Sequence, residues 1–361
     1  READGIKYIE IHPDYRNAIG ANPEYHHIDA LHQYAHREDN FRWKQYATKR
    51  WLSSVHTDQF LTYDGTGDRF VANIPALLHT FDVGEELILK HYGYDANAFN
   101  VRHGEDIIIS DITAHNVPGM FGWVGGVERG IMFHNNAIRN DPKDPLAFVS
   151  ASHDGFNVGS AGGDIIVTNN WVQHNGDDAL NIHSRWYEVV SIEGNRIQFR
   201  SEWLNRVRVP VNVGERLAFF DTDFSYKGYG TVIEDVLFDA QTETFTVALD
   251  EVPSSLAVFD KVHRVDHASR RFFVSDNTFG QNWARGAMIQ ASSGIVRTNR
   301  IFGNGIGGIV ANMDYAYFKS AGPVVNVVIR NNNLLHSGTS LLSSRTLGVA
   351  STSMGSISLT T

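Results

Sequence analysis

The sequence predicts an all-β chain: a right-handed parallel β-helix with an antiparallel β-barrel inserted into it. Three observations carry this. Helix periodicity is scarce, while short β-branched runs ending in Asn, Asp or Gly recur along most of the 361 residues, the pattern of short strands with punctuated turns. One such run occurs in six copies, five of them followed by Asn at one register. Between the third and fourth copies the pattern changes to alternating polar and apolar residues, as in hairpins.

The copies are Ile107-Ile108-Ile109-Ser110-Asp111, Ile131-Met132-Phe133-His134-Asn135, Ile165-Ile166-Val167-Thr168-Asn169, Phe272-Phe273-Val274-Ser275-Asp276, Gly294-Ile295-Val296-Arg297-Thr298 and Val327-Val328-Ile329-Arg330-Asn331. The register asparagines are Asn136, Asn170, Asn277, Asn299 and Asn332, spaced by 34, 107, 22 and 33 residues. The shortest spacing is one coil of a β-solenoid, and the longer ones admit loops. A single coil cannot bury its own apolar face, whereas coils stacked about 4.8 Å apart share a continuous core. The asparagines then have a structural reading: Asn tolerates unusual turn angles, and its amide bonds to the Asn of the next coil.

The 107-residue spacing exceeds one coil. Within it run Tyr187–Ile192, a Gly194-Asn195 turn, Arg196–Arg200, Arg216–Phe220, Thr231–Ile233 and Thr244–Leu249. A small barrel inserted between two coils is the simplest account. The expected organisation is an irregular N-terminal region (1–80), a first part of the β-helix (81–183), the inserted barrel (184–271) and a second part of the β-helix (272–361). Asn22 to Trp51, rich in His, Tyr and Trp, reads as loop and short helix, and Ile357-Ser358-Leu359 as one more strand.

Composition excludes several classes. Thirty-one Lys+Arg against forty-one Asp+Glu give a net charge of −10, which offers nothing to a phosphate backbone, so no nucleic-acid partner is expected. The chain has no cysteine and is 42% hydrophobic, so it is neither a disulfide scaffold nor a disordered tail. No run of about eighteen apolar residues predicts a membrane span. Arg1-Glu2-Ala3-Asp4 lacks the shape of a signal peptide, which also fits a secreted protein after processing.

The densest polar cluster is Ser152-His153-Asp154-Gly155-Phe156-Asn157, followed one coil later by Gly176-Asp177-Asp178-Ala179-Leu180-Asn181-Ile182-His183. Asp154 precedes Asp177 by 23 residues and Asp178 by 24, so stacking gathers three acids. Crowded carboxylates disfavour one another's ionisation, and at least one holds its proton, as a general acid requires. This suits glycoside hydrolysis, in which one carboxyl protonates the leaving oxygen and another activates water or attacks the sugar. The competing reading is that Asp-Gly and Gly-Asp are turn dipeptides that face solvent or bind calcium. His153 and His183 lack compact metal-ligand spacing; no metal and no organic cofactor is expected. They are candidates, with Asn181, for binding sugar or orienting a carboxylate, or are simply packed. Trp123, Trp283, Arg285 and Gln290, on flanking coils, are further candidates for sugar recognition.

These residues, in this order, resemble glycoside hydrolase family 110, bacterial exo-acting α-1,3-galactosidases. The resemblance rests on Phe81–Leu87, Val117-Pro118-Gly119-Met120-Phe121-Gly122, His153-Asp154-Gly155, Asp177–His183, the long insert after His183, Ala284–Ile289 and Ser320-Ala321-Gly322-Pro323-Val324, covering roughly Phe81 to Asn333. Lys319 departs from it, standing where an acid is expected. The resemblance implies removal of terminal α-linked galactose with inversion. It implies that Asp154, Asp177 and Asp178 form the acid and base group, with Asp177 preferred as acid and Asp154 and Asp178 holding the water. The implied partner is an oligosaccharide or polysaccharide, and the implied location is secreted or periplasmic in a bacterium; flat β-helix sides are compatible with a homo-oligomer. Two alternatives stand beside this one: a pectinase-like depolymerase or lyase, for which Lys319 could serve as base, and a non-catalytic glycan-binding β-helix.

Overall fold

The computed structural model describes residues 65, 96–143, 149–200, 210–312, 322–335 and 337, together with strands Glu2–Ala3, Ile6–Glu10, Ala30–Ala35, Arg42–Trp43, Arg50–Trp51, Leu61–Tyr63, Arg69–Ala72, Leu87–Lys90 and Ile357–Leu359. Three parallel sheets of six, six and seven strands wind together as a parallel β-helix, and six antiparallel strands close a barrel. Each coil contributes one strand to each sheet in turn, for example Glu105–Ser110, Thr113–Ala114 and Gly122–Gly125.

The six copies are successive rungs of the first sheet, in register as Ile107, Ile131, Ile165, Phe272, Gly294 and Val327. Alternation then sends every second side chain inward, so Ile131, Phe133, Ile165, Val167, Phe272 and Val274 lie in the common core. Large and small residues compensate across rungs. A Cβ on Gly294 would lie 2.3 Å from the Phe272 ring, so only glycine fits over that phenylalanine. The third sheet buries Val124, Val158, Ile182 and Ile289 and turns Trp123, Asn157, Asn181 and His183 to its other face.

The asparagine register is a hydrogen-bonded ladder. The Asn136, Asn170, Asn277 and Asn299 backbone N–H groups each donate to the amide oxygen of the next asparagine, at 2.9–3.0 Å. The residue before each rung's ladder position (Asp111, Asn135, Asn169, Asp276, Thr298, Asn331) has φ between 54° and 60°. Asn and Asp tolerate this left-handed corner better than other non-glycine residues. A second ladder, Asn175 to Asn282 to Asn304, repeats the spacings of 107 and 22 at another corner.

The barrel lies between Trp186 and Arg264, with neighbours Trp186–Glu193, Arg196–Arg200, Thr244–Leu249, Tyr226–Asp239, Arg216–Phe220 and Lys261–Arg264. Gly194, at φ 64°, opens the first hairpin turn, where a two-residue loop favours glycine. Val189, Ile197, Phe199, Leu217, Phe219, Val247 and Val262 fill its separate core. Its ends meet where it leaves the coil: the Ser269 N–H donates to Ser184 Oγ at 2.9 Å, and Ser269 Oγ donates to the His183 carbonyl at 2.6 Å.

Two stretches differ from the sequence reading. Lys261–Arg264 closes the barrel, but four residues without alternation (Lys-Val-His-Arg) carry no strand signal. The stretch read as loop and short helix instead holds antiparallel strands at Ala30–Ala35, Arg42–Trp43 and Arg50–Trp51. Ile357–Leu359 pairs in parallel with Gly307–Ala311. No helix among the described residues is long and apolar enough to cross a membrane.

Candidate functional site

The turn leading into the third sheet places the acids. Phe156, Leu180 and Ala287 are in register, so Asp154, Asp178 and Arg285, two residues earlier on each rung, form one column. The column is tied lengthwise: the Asp178 N–H donates to Asp154 Oδ1 at 3.1 Å, and the Arg285 N–H to Asp178 Oδ1 at 2.9 Å. Arg285 also brings Nη1 to 3.3 and 3.4 Å from the two Asp178 oxygens. Asp177 joins from the side, and one oxygen of each of the three carboxyls lies within 4.8 Å of the others. Gly155 makes this packing feasible, because a Cβ there would sit 2.6 Å from the Ala179 carbonyl oxygen.

Asp154 and Asp178 are buried, at 5% and 2% exposure, whereas Asp177 is half-buried. Burial, reinforced by the charges of Asp177 and Asp178, holds the Asp154 carboxyl well above the ordinary carboxylate range. Burial raises Asp178 to about 6, and the Arg285 guanidinium opposes the rise. The three acids could reach a single cation, but Arg285 already supplies the positive charge on Asp178. Both Asp154 oxygens are already hydrogen-bonded within the protein, Oδ1 to the Asp178 N–H and Oδ2 to the Asn157 amide.

The outer face of the third sheet carries other candidates. Asn157 Nδ2 is 2.6 Å from Asp154 Oδ2, and Asn157 Oδ1 is 3.2 Å from His183 Nε2. Burial and the Arg185 charge lower His183 to about 4, so its ring is neutral. Asn181 shares the row of Trp123 and Asn157, with its Oδ1 unpartnered among the described residues. Gln290 follows His183 in the neighbouring row, fully buried, with neither amide atom partnered among the described residues.

The remaining candidates lie less centrally. Arg102 covers one face of the Trp123 ring at 5.1 Å, so that face is taken. Trp283 is half-buried, and its backbone N–H donates to the Asn175 carbonyl on the turn that bears Asp177. His153 is fully buried, with Nδ1 3.1 Å from Ser152 Oγ. Sequence reasoning omitted Asn157 from the site, although it sits in the same motif, on the strand three residues after Asp154. Lys319 lies outside the described residues. A small recess at the junction with the barrel, lined by Ser160, Ser184, Arg185, Tyr187, Arg264, His267 and Ala268, contains none of the three acids.

Fold and site together define a parallel β-helix protein with a cluster of interacting carboxyls at one corner of adjacent coils. Comparisons with known proteins point the same way as the motif resemblance. Over 255 residues, 69% of this chain and 41% of the relative, it is 26% identical to alpha-1,3-galactosidase A of Shewanella woodyi. Over 270 residues, 71% of this chain and 32% of the relative, it is 22% identical to alpha-1,3-galactosidase B of Akkermansia muciniphila. The chain thus spans less than half the length of these curated relatives. No family model matches the chain. The Azotobacter vinelandii mannuronan C-5 epimerase AlgE4 A-module matches at a TM-score of 0.32 and 14% identity over 68% of this chain and 40% of that one, a likeness too slight to carry an argument.

Proposed function

We propose that this chain carries the catalytic site of a glycoside hydrolase that releases terminal α-linked galactose, α-1,3-linked, from glycans outside the bacterial cytoplasm. The observation that carries the proposal is the Asp154–Asp178–Arg285 column with Asp177 beside it: two buried acids with raised pKa and one reachable from solvent. The two α-1,3-galactosidase relatives supply the substrate class. Pure binding gains nothing from like charges held together, whereas acid–base catalysis needs them.

Asp177, the most accessible of the three, donates its proton to the glycosidic oxygen. Asp178 is the base. With a pKa of about 6 and Arg285 against both oxygens, it is ionised at neutral pH and accepts the proton of the attacking water. Asp154 supports it by accepting the Asp178 N–H. Asn181 Oδ1 and the Gln290 amide, buried or half-buried without partners among the described residues, supply the hydrogen bonds that a galactose hydroxyl would complete. Inversion rests on the motif resemblance, because oxygens within 4.8 Å are closer than the roughly 6.5–9.5 Å carboxyl separation typical of inverting enzymes.

The test is incubation with a panel of α-linked galactosides and acidic polysaccharides, followed by proton NMR of the first-formed anomer. Free β-galactose from an α-1,3-galactoside supports the proposal. An unsaturated uronide, or no product from any galactoside, refutes it.

A further inference from the structure

We infer that His183 and Asn157 act as positioning residues that keep Asp154 a neutral carboxylic acid, so that Asp178 is the ionised member of the stacked pair. The argument follows the hydrogen atoms. His183 Nδ1 lies 3.1 Å from the Ser184 carbonyl oxygen, which can only accept, so Nδ1 carries a hydrogen. Nε2 lies 3.2 Å from the Asn157 amide, whose other end lies 2.6 Å from Asp154 Oδ2. Which end of an amide bears oxygen follows from its neighbours.

Two arrangements with the same number of protons satisfy this chain. In one, the amide oxygen faces His183 and its NH2 faces Asp154; Nε2 must then carry a second hydrogen, making a buried imidazolium and a buried carboxylate. In the other, the amide is turned over: its NH2 donates to a bare Nε2, and its oxygen accepts a hydrogen from Asp154 Oδ2. Passing from the first to the second moves one proton from Nε2 to Oδ2 and turns the amide, with no other change. The second has no charge on either group.

Burial selects the neutral arrangement. His183 is 4% exposed and Asp154 5%, and separated charges without direct contact are costly at such depth. The other charged groups around the chain agree: Arg185 opposes a positive His183, and an ionised Asp178 opposes a negative Asp154. Among the described residues the cation set against the column is Arg285, and its guanidinium binds Asp178 rather than Asp154. The 2.6 Å Asn157–Asp154 separation suits an O–H···O bond. Gly159 leaves room for the imidazole, since a Cβ there would lie 2.8 Å from His183 Cε1.

The consequence for hydrolysis, that Asp178 rather than Asp154 is the anionic base, rests on the function proposed above; the protonation pattern itself does not, and it can be read without substrate. The experiment is nitrogen-15 NMR of histidine-labelled protein and carbon-13 NMR of aspartate carboxyls through a pH titration, with His183→Phe and Asp154→Asn assigning the signals. The expected result is a neutral His183 protonated on Nδ1 at pH about 7, and an Asp154 carboxyl that keeps its proton through the pH at which Asp178 ionises. In His183→Phe the amide is free to turn its NH2 to Asp154, and the Asp154 pKa falls by about one to two units. An imidazolium at His183 near neutral pH, or Asp154 ionising before Asp178, overturns the inference. The wild-type spectra decide this even if the variant does not fold. If the chain proves inactive on every galactoside while the spectra are as expected, the functional reading fails and this inference stands.

Discussion

Replacing Arg285 with methionine tests the electrostatics of the proposed base. The exchange keeps much of the side-chain length and leaves the Arg285 backbone N–H on Asp178 Oδ1, so the column stays tied while the guanidinium, 3.3 Å from Asp178, is lost. An opposite charge at this distance lowers a carboxyl pKa by about one to three units. Without it, Asp178, held at about 6 in the parent, should titrate one to three units higher. At pH 7 the ionised fraction then falls from about nine-tenths to between about one-half and one-hundredth, a loss of roughly two- to hundredfold in kcat/KM. The assay is kcat/KM on an α-1,3-galactoside from pH 5 to about 9.5, with urea unfolding to confirm that the variant is folded. The acidic limb should move to higher pH, and activity should recover as pH rises. A loss equal at every pH, with the limb unmoved, would refute the reasoning and assign Arg285 to the sugar instead.

Asp177→Asn should lower kcat about 10²- to 10⁴-fold on ordinary galactosides but far less on galactosyl fluoride, whose leaving group needs no proton; equal losses on both would remove Asp177 from the acid role. Asn277→Ala breaks bonds to Val167, Asn170 and Asn299 and strands several buried polar groups, so urea unfolding should show a loss of roughly 3–5 kcal/mol; a loss under about 1 kcal/mol would show that the ladder is dispensable. His174, His183 and His263 are each lowered by burial from 6.5 to about 4; their stabilisation is complete above 6.5 and is lost as pH falls to about 4. Asp178 acts oppositely: its pKa is raised from 3.8 to about 6, so its contribution falls as pH rises through that window. Thermal melting between those limits should therefore show net acid destabilisation, and Asp178→Asn should steepen it; a flatter profile in the variant would contradict the raised Asp178 pKa.

The rungs were legible because two signals coincide in each: an apolar residue at every second position, and an Asn, Asp or Thr at the left-handed corner. The barrel hairpins alternate, and Gly194-Asn195 marks their first turn. The second asparagine ladder carried a usable signal, since Asn175, Asn282 and Asn304 repeat the spacings of 107 and 22 already seen in the first. The pairing of Asp178 with Arg285 could be ordered but not measured from sequence, because it spans 107 residues and the whole barrel. Asn157 was visible in its motif, but its place between Asp154 and His183 depends on which strand face it occupies and on the gap above Gly159. Protonation lies furthest from the sequence, because it is set by burial, and burial belongs to the assembled coils.

The paired serines at the mouth of the barrel make the insert a spliced module on a socket. Ser184 and Ser269 are 85 residues apart in sequence yet touch through one hydrogen bond, so the coil runs from the third sheet to the first as though uninterrupted. Any compact unit with adjoining ends could be grafted at this socket without shifting the rungs above or below. A lineage could thus exchange whole appendages while the winding that aligns the acids stays constant.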